Sequence, residues 1–354
     1  MRVEENKALA PFTTLGVGGP ARWFAEAECE EDIAVAARWA RRIGVPIFVL
    51  GGGSNLLVAD AGFAGLVIRV GLRGVRKSEG GERVIYEVAA GEDWDAFVQR
   101  GVEDHCAGLE CMAGIPGTAG GTPVQNVGAY GQEVASSIMK VRAYDLKTDT
   151  FVEFSNADCR FAYRCSRFNT SDRGRYVVTR VDYRLTPGGT PTLRYTDLQR
   201  EFSARPDASL HEVADAVRRI RRSKGMLLVE GDPDCRSAGS FFKNPIVSEN
   251  RIREMATACG KETPSFPAGP QNEAAGGVKI AAAWLIEQAG FAKGYTKGAA
   301  GISTRHTLAL INRGGATAAE ILGLADEIAS AVEARFGIRL EREPVLLGFE
   351  DGRG

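Results

Sequence analysis

Apolar and polar positions repeat along this chain with two different periods, and each change of period marks an element. The stretch ARWFAEA (residues 21–27) is short and strand-like. Residues 30–43 then place Ile33, Ala36, Ala37, Ala40 and Ile43 at helical spacing, and Gly44 predicts where that helix stops. Pro46–Leu50, Leu66–Val70 and Val84–Ala90 are short apolar runs of the strand type, and 92–104 returns to helical spacing. Strand patterns follow at 140–146, 150–154 and 176–185. Ser209-x-x-Glu212 is a capping box that opens a helix over 210–223, and Thr317-x-x-Glu320 opens another over 318–335. Further helices are predicted at 249–259 and 278–289, and strands at 307–312 and 338–347. The pattern is α+β, richer in strand than a doubly wound domain. A boundary near 205–220 and a turn-rich acidic link at 225–239 set off the last part of the chain. The basic residues from Arg218 to Lys224 end their helix, and most read as solvated, dipole-matched side chains.

Two glycine-rich stretches break the periodicity. Gly51-Gly52-Gly53-Ser54-Asn55 follows a predicted strand directly, and Gly114–Gly131 reads GIPGTAGGTPVQNVGAYG. The longer one cannot be a regular helix or strand, yet Ile115, Val124, Val127, Ala129 and Tyr130 make it too apolar for a linker. Exposed N–H groups in glycine turns cradle phosphates, and the amides of Gln125 and Asn126 suit the edge of a flat heterocycle. Neither stretch carries the lysine of a P-loop or the G-x-G-x-x-G of a Rossmann unit, so nucleotide loops of another kind and plain ordered turns both stay open.

Composition narrows the classes. A chain of 354 residues should form two or three domains, and its net charge of −1 gives no reason to expect a nucleic acid or an anionic membrane as partner. Seven cysteines, an odd number without paired metal spacing or a leading signal peptide, favour reduced thiols in the cytoplasm and no bound metal. No apolar run reaches the roughly 18 residues of a membrane span.

Taken together, TTLGVGGPA, LGGGSNLL, IPGTAGGTPVQNVGAYG, YRCSRF, LRYTDL, SAGSFFKNP, KIAAAWLIEQAG with KGAAGIS, and LEREPVLLG resemble, in order, the MurB-type UDP-N-acetylenolpyruvoylglucosamine reductases of peptidoglycan synthesis. The resemblance implies an FAD-binding part of the vanillyl-alcohol-oxidase type in two α+β subdomains, 1–72 and 73–210, and a C-terminal α+β substrate domain, 211–354. It further implies non-covalent FAD, NADPH as co-substrate, a nucleotide-sugar substrate and a monomer or weak dimer. The Tyr195 segment looks like the longer of the family's two forms, in which a tyrosine loop folds over the substrate.

By the same resemblance, FAD is held by Gly51, Gly52, Gly53, Ser54 and Asn55 and by Gly114, Pro116, Gly117, Gly120, Gly121, Gln125, Asn126, Gly128, Ala129 and Tyr130, with Tyr163 supporting the flavin or its neighbour Arg164. Arg164 matches the arginine that grips the substrate carboxylate, Ser240 the proton donor, and Glu343 the glutamate that steadies the intermediate. Tyr195, Lys224, Asn244 and His306 match substrate contacts. Two departures stand out: Cys165 replaces the acid common after the catalytic arginine, and Glu341-Arg342-Glu343-Pro344 leaves Glu341 as a competitor of Glu343. The rival readings are another oxidoreductase on the same FAD scaffold and a nucleotide-sugar binding module without catalysis.

Overall fold

Glu30, Glu31 and Asp32 occupy the first turn of the helix Glu30–Ile43, Arg41 and Arg42 its last, and Gly44 closes it at φ 71°; this is the charge order that a helix dipole favours. The computed structural model that shows this describes residues 2–205, 207–268 and 276–349. Pro206, inside the boundary expected at 205–220, and the last residues of the expected 211–354 domain lie outside that range. The chain divides into two compact units, one of residues 1–7, 21–53 and 63–223, the other of 8–20, 54–62 and 224–354.

In the first unit the helix Glu30–Ile43 buries Ile33, Ala36, Ala37 and Ala40 and links Pro20–Ala27 to Ile47–Leu50. Both strands run parallel to Phe63–Val70, which lies between them, with Val3–Ala8 on the outer edge. Parallel neighbours need such a crossover. The second sheet is antiparallel, in the order Thr150–Ser155, Ile138–Asp145, Tyr176–Pro187, Arg83–Ala89, Val75–Gly80, and the short Cys106–Ala107 also pairs with Tyr176–Pro187. The helix Trp94–Glu103 starts at Asp93, whose carboxylate accepts the Ala96 N–H at 2.8 Å. The rings of Trp94, Phe97 and Tyr183 pack together at 5.0 to 6.0 Å between centroids. Both sheets share one apolar core.

The second unit has its own core, to which the early residues Leu15, Val17 and Leu57 contribute. Its longest helix, Ala318–Phe336, opens with the capping box of Thr317 and Glu320. The next free N–H groups, those of Ala318 and Ala319, donate to the carboxylate of Asp60 at 2.7 and 3.0 Å, which satisfies donors that a helix leaves over. Leu56–Val58 pairs in parallel with Val345–Leu347.

Three expectations are corrected here. The helix expected at 278–289 forms only from Ala282 to Gln288; Val278, Lys279 and Ile280 belong to a strand paired on both sides, with Ile246–Ser248 and Ser265–Pro267. Two waiting strands outweigh local helical spacing. The strand expected at 338–347 shrinks to Val345–Leu347, because Pro344 has no N–H to give to a ladder. The strand expected at 307–312 begins at Leu310, since residues 306–309 form a turn in which the Ala309 N–H donates to the His306 carbonyl and the Leu308 N–H to His306 Nδ1, both at 3.1 Å.

Candidate active site

Ala162 and Cys165 exchange backbone hydrogen bonds of 2.9 and 3.0 Å, so Tyr163 and Arg164 form the tip of a two-residue hairpin. Arg164 sits at φ 54°, a left-handed conformation that costs a non-glycine residue on the order of 1 kcal/mol and persists only where its surroundings enforce it. They do so from both ends. Asn169 Nδ2 donates to the Arg164 carbonyl at 3.1 Å, and the buried Ser166, reciprocally capped with Asn169, donates to the Val124 carbonyl at 2.6 Å. Arg164 Nη2 donates to the Gly128 carbonyl at 2.9 Å, and its guanidinium carbon stands 5.4 Å from the centre of the Tyr163 ring. The hairpin and the long glycine stretch are thus one assembly. The Arg164 guanidinium is thus held by a backbone carbonyl and a ring.

Asn126 explains how the stretch keeps its shape. Its side chain is 1 % exposed, donates to Glu133 Oε2 at 2.9 Å and the Ala162 carbonyl at 3.0 Å, and accepts from the Ala135 N–H at 3.1 Å. An amide so engaged braces the framework of the stretch; Gln125 beside it is half-buried. The two glycine turns meet inside the first unit. A Cβ on Gly52 would lie 2.6 Å from Gly117 Cα, and one on Gly51 would lie 2.9 Å from Thr118 Oγ1. Only bare backbone allows that approach.

The basic helix end is also corrected. Arg218 pairs with Asp95 at 2.8 Å, the same carboxylate accepts the Gly114 N–H at 2.6 Å, and Arg221 Nε donates to the Gly114 carbonyl at 2.9 Å. Burial lowers the pKa of Arg221, while Tyr130 and Asp95 oppose that. These arginines hold the start of the glycine stretch. The capping box Ser209–Glu212 announced the helix, but nothing in its spacing told the inward arginines from the solvated ones. Tyr130 meets Tyr195 edge to face, 5.1 Å between centroids.

In the second unit, residues 240–243 run beside 341–343. Glu343 N–H donates to the Phe241 carbonyl and Lys243 N–H to the Glu341 carbonyl, both at 2.9 Å, with Phe242 opposite Arg342. Ser240 and Glu343, a hundred residues apart in sequence, therefore belong to neighbouring extended segments, and both are half-buried. Glu341 differs: its side chain is 72 % exposed and pairs with Lys243. Asn55 Nδ2 donates to the Glu343 carbonyl at 3.2 Å, and its own carbonyl accepts from Val345 N–H at 3.0 Å. The glycine turn is thus shared out, Gly51–Gly53 to the first unit and Ser54 and Asn55 to the second.

Asn244 Oδ1 accepts the Ala282 N–H at 2.9 Å, which leaves the donor end of its amide for a ligand. His306 Nδ1 accepts the Leu308 N–H at 3.1 Å, so its ring proton belongs on Nε2. Burial, with Lys224 and Lys293 nearby, brings its pKa down to about 4, and it is a neutral donor at pH 7.

A family model described as UDP-N-acetylenolpyruvoylglucosamine reductase, C-terminal domain, matches residues 232–347, and one described as FAD binding domain matches 21–155. The UDP-N-acetylenolpyruvoylglucosamine reductase of Thermobifida fusca is 47 % identical over 353 residues, covering 97 % of each chain. The chain belongs to the UDP-N-acetylenolpyruvoylglucosamine reductase family. The reductase of the same name from Streptomyces coelicolor is 45 % identical, over 96 % of this chain and 89 % of its own. The crystal structure of the MurB reductase from Thermus caldophilus superposes with a TM-score of 0.66 at 27 % identity, over 98 % of this chain and 99 % of that one. The α+β architecture with an FAD-binding domain is thereby established for this reductase. Its shifted C-terminal motif keeps Glu343 beside the Ser240 segment, whereas the side chain of Glu341 is turned to solvent.

Proposed function

We propose that the chain reduces the enolpyruvyl ether of UDP-N-acetylglucosamine to UDP-N-acetylmuramate, with non-covalent FAD as cofactor and NADPH as reductant. The observation that carries this reading is the seating of residues 240–243 against 341–343, which makes neighbours of the serine and the glutamate that the chemistry needs. The residues present fit FAD: Gly52 lies against the backbone of Gly117 and Gly51 against the Thr118 hydroxyl, and glycine turns of this kind bind a pyrophosphate through backbone N–H groups. When bound, the flavin carries hydride from NADPH to the β-carbon of the enol ether.

The chain's own residues supply the rest. The Arg164 fork grips the substrate carboxylate with charge-assisted bonds that strengthen as negative charge collects there. Its strained, pinned hairpin fixes the fork before substrate arrives. Ser240 gives its hydroxyl proton to the α-carbon, and Glu343 donates to the oxyanion that develops. Lys224 meets the diphosphate as a point charge, Asn244 and the neutral His306 Nε2–H add donors, and Tyr195 closes on the nucleotide from beside Tyr130. In this reading 1–72 and 73–210 serve the flavin and 211–354 the substrate. The two sheets of the first unit support the split at 72. The same reading has the enzyme work in the cytoplasm as a monomer or weak dimer.

Anaerobic half-reactions test it. NADPH should bleach the yellow protein, and the enolpyruvyl sugar should restore the colour; Ser240→Ala should block the second step and spare the first. Bleaching without reoxidation by the sugar would overturn the substrate assignment in favour of another oxidoreductase on this scaffold.

A further inference from the structure

Glu110 is a carboxylate that the reaction above does not use, and it is 1 % exposed. It lies in the turn Glu110–Met112, just ahead of the glycine stretch. Three N–H donors converge on its two oxygens: Gln132 Nε2 at 2.7 Å and Thr192 N at 2.9 Å on Oε1, and Gly108 N at 2.8 Å on Oε2. Gln132 also donates to Thr192 Oγ1 at 3.1 Å and accepts the Cys111 N–H at 2.9 Å, while Cys111 Sγ donates to the Thr192 carbonyl at 3.1 Å. Every polar group of Thr192 is engaged by this cluster.

Thr192 stands three residues before Tyr195. Residues 188–194 belong to neither strand nor helix, so no ladder sets where the tyrosine falls. Glu110 ties down the segment on one side, and Gly131 meets it on the other. Gly131 has φ 87°, and a Cβ on it would lie 3.0 Å from the Arg194 Cβ, so the tyrosine segment crosses directly over that glycine. Tyr195 then reaches the ring of Tyr130.

We propose that Glu110 is a positioning residue for Tyr195: through Thr192 and Gln132 its buried carboxylate holds the tyrosine segment in the substrate-ready position. The inference rests on the reading of Tyr195 as a contact to the nucleotide-sugar. A carboxylate suits the post because it only accepts, whereas an amide would turn an NH₂ toward donors that already point inward.

The test is a double-mutant cycle of Glu110→Gln and Tyr195→Ala, read by steady-state kinetics and by the rate of flavin reduction with NADPH. Glu110→Gln should raise the KM for the enolpyruvyl sugar about tenfold, the scale of one buried polar group left mismatched. It should leave flavin reduction and kcat nearly unchanged. In the Tyr195→Ala background the same change should add nothing to KM, since coupled residues are not additive. Thr192→Val, which keeps the backbone donor and loses only Oγ1, should act in the same direction and more weakly, and it serves should Glu110→Gln fail to fold. An unchanged KM in both variants, while Tyr195→Ala alone raises it, overturns the positioning role. Full additivity, or equal slowing of flavin reduction, reduces Glu110 to fold maintenance and also overturns it. If Tyr195→Ala itself leaves KM unaltered, the substrate contact fails first, and the inference falls with it.

Discussion

Glu343 donates its backbone N–H to the carbonyl oxygen of Phe241 at 2.9 Å, one residue beyond Ser240. Glu341 joins the same segment through its carbonyl, but its side chain is exposed and paired with Lys243, whereas Glu343 is half-buried. Glu343→Gln should lower kcat by about a hundredfold or more, the scale of losing one preorganised donor to a developing oxyanion. Glu341→Gln should change it by no more than about twofold, because an exposed ion pair contributes little. Comparable losses in both variants, measured at saturating substrate, would put the assignment of Glu343 in error.

Gly52→Ala places a methyl group 2.6 Å from Gly117 Cα, closer than two carbons can stand. One of the two turns must then move. The purified variant should carry less flavin per mole of protein than the parent, read from flavin absorbance against protein content, while its far-UV circular dichroism stays native.

Asn126 has its amide in three hydrogen bonds and its backbone at φ 47°. Asn126→Ala should cost about 3 kcal/mol in urea unfolding, from buried partners left unmatched and a conformation that alanine resists. Asn126→Gly, which relieves the backbone, should cost less. The difference between the two reports the strain less the greater unfolded-chain entropy of glycine.

Asp145 predicts the response to acid. Arg175 is the largest cause of its lowered pKa; burial opposes, and the Lys147 N–H assists, leaving the carboxyl at about 2 against an ordinary 3.8. A depressed carboxyl stabilises the fold above its unfolded value and loses that contribution as pH falls from about 4 toward 2. Asp145→Asn should therefore cost about 2 kcal/mol at pH 7 and far less near pH 2. An equal cost at both pH values would show that charge is not the reason.

Much of the framework was readable because local and tertiary preferences agree. The helix Glu30–Ile43 carries its own dipole-matched charges and its glycine stop, and Thr317 with Glu320 cap Ala318–Phe336 wherever that helix sits. Val278–Ile280 was misread because its strand character depends on partners at 246–248 and 265–267, which no window around it contains. In the site, chemistry-bearing residues stood out by type and motif. Those that aim them did not. Ser166, Asn169 and Arg221 act through backbone carbonyls, and a carbonyl carries no residue name for a sequence to display.

The pairing of Leu56–Val58 with Val345–Leu347 bears on how the protein is made. A ribosome delivers residue 56 long before residue 347, so the early segment leaves the exit tunnel without the strand it will join. Asp60 likewise waits for the helix that begins at Ala318. The second unit can close only once residues 345–347 have been made, and contacts of such long sequence separation form slowly. A ribosome stalled between residue 223 and the last strand holds a chain whose first unit has every residue it needs and whose second lacks the partner of Leu56–Val58. A fragment beginning at residue 224 would meet the same defect from the other side, lacking both the strand 56–58 and the helix cap at 60.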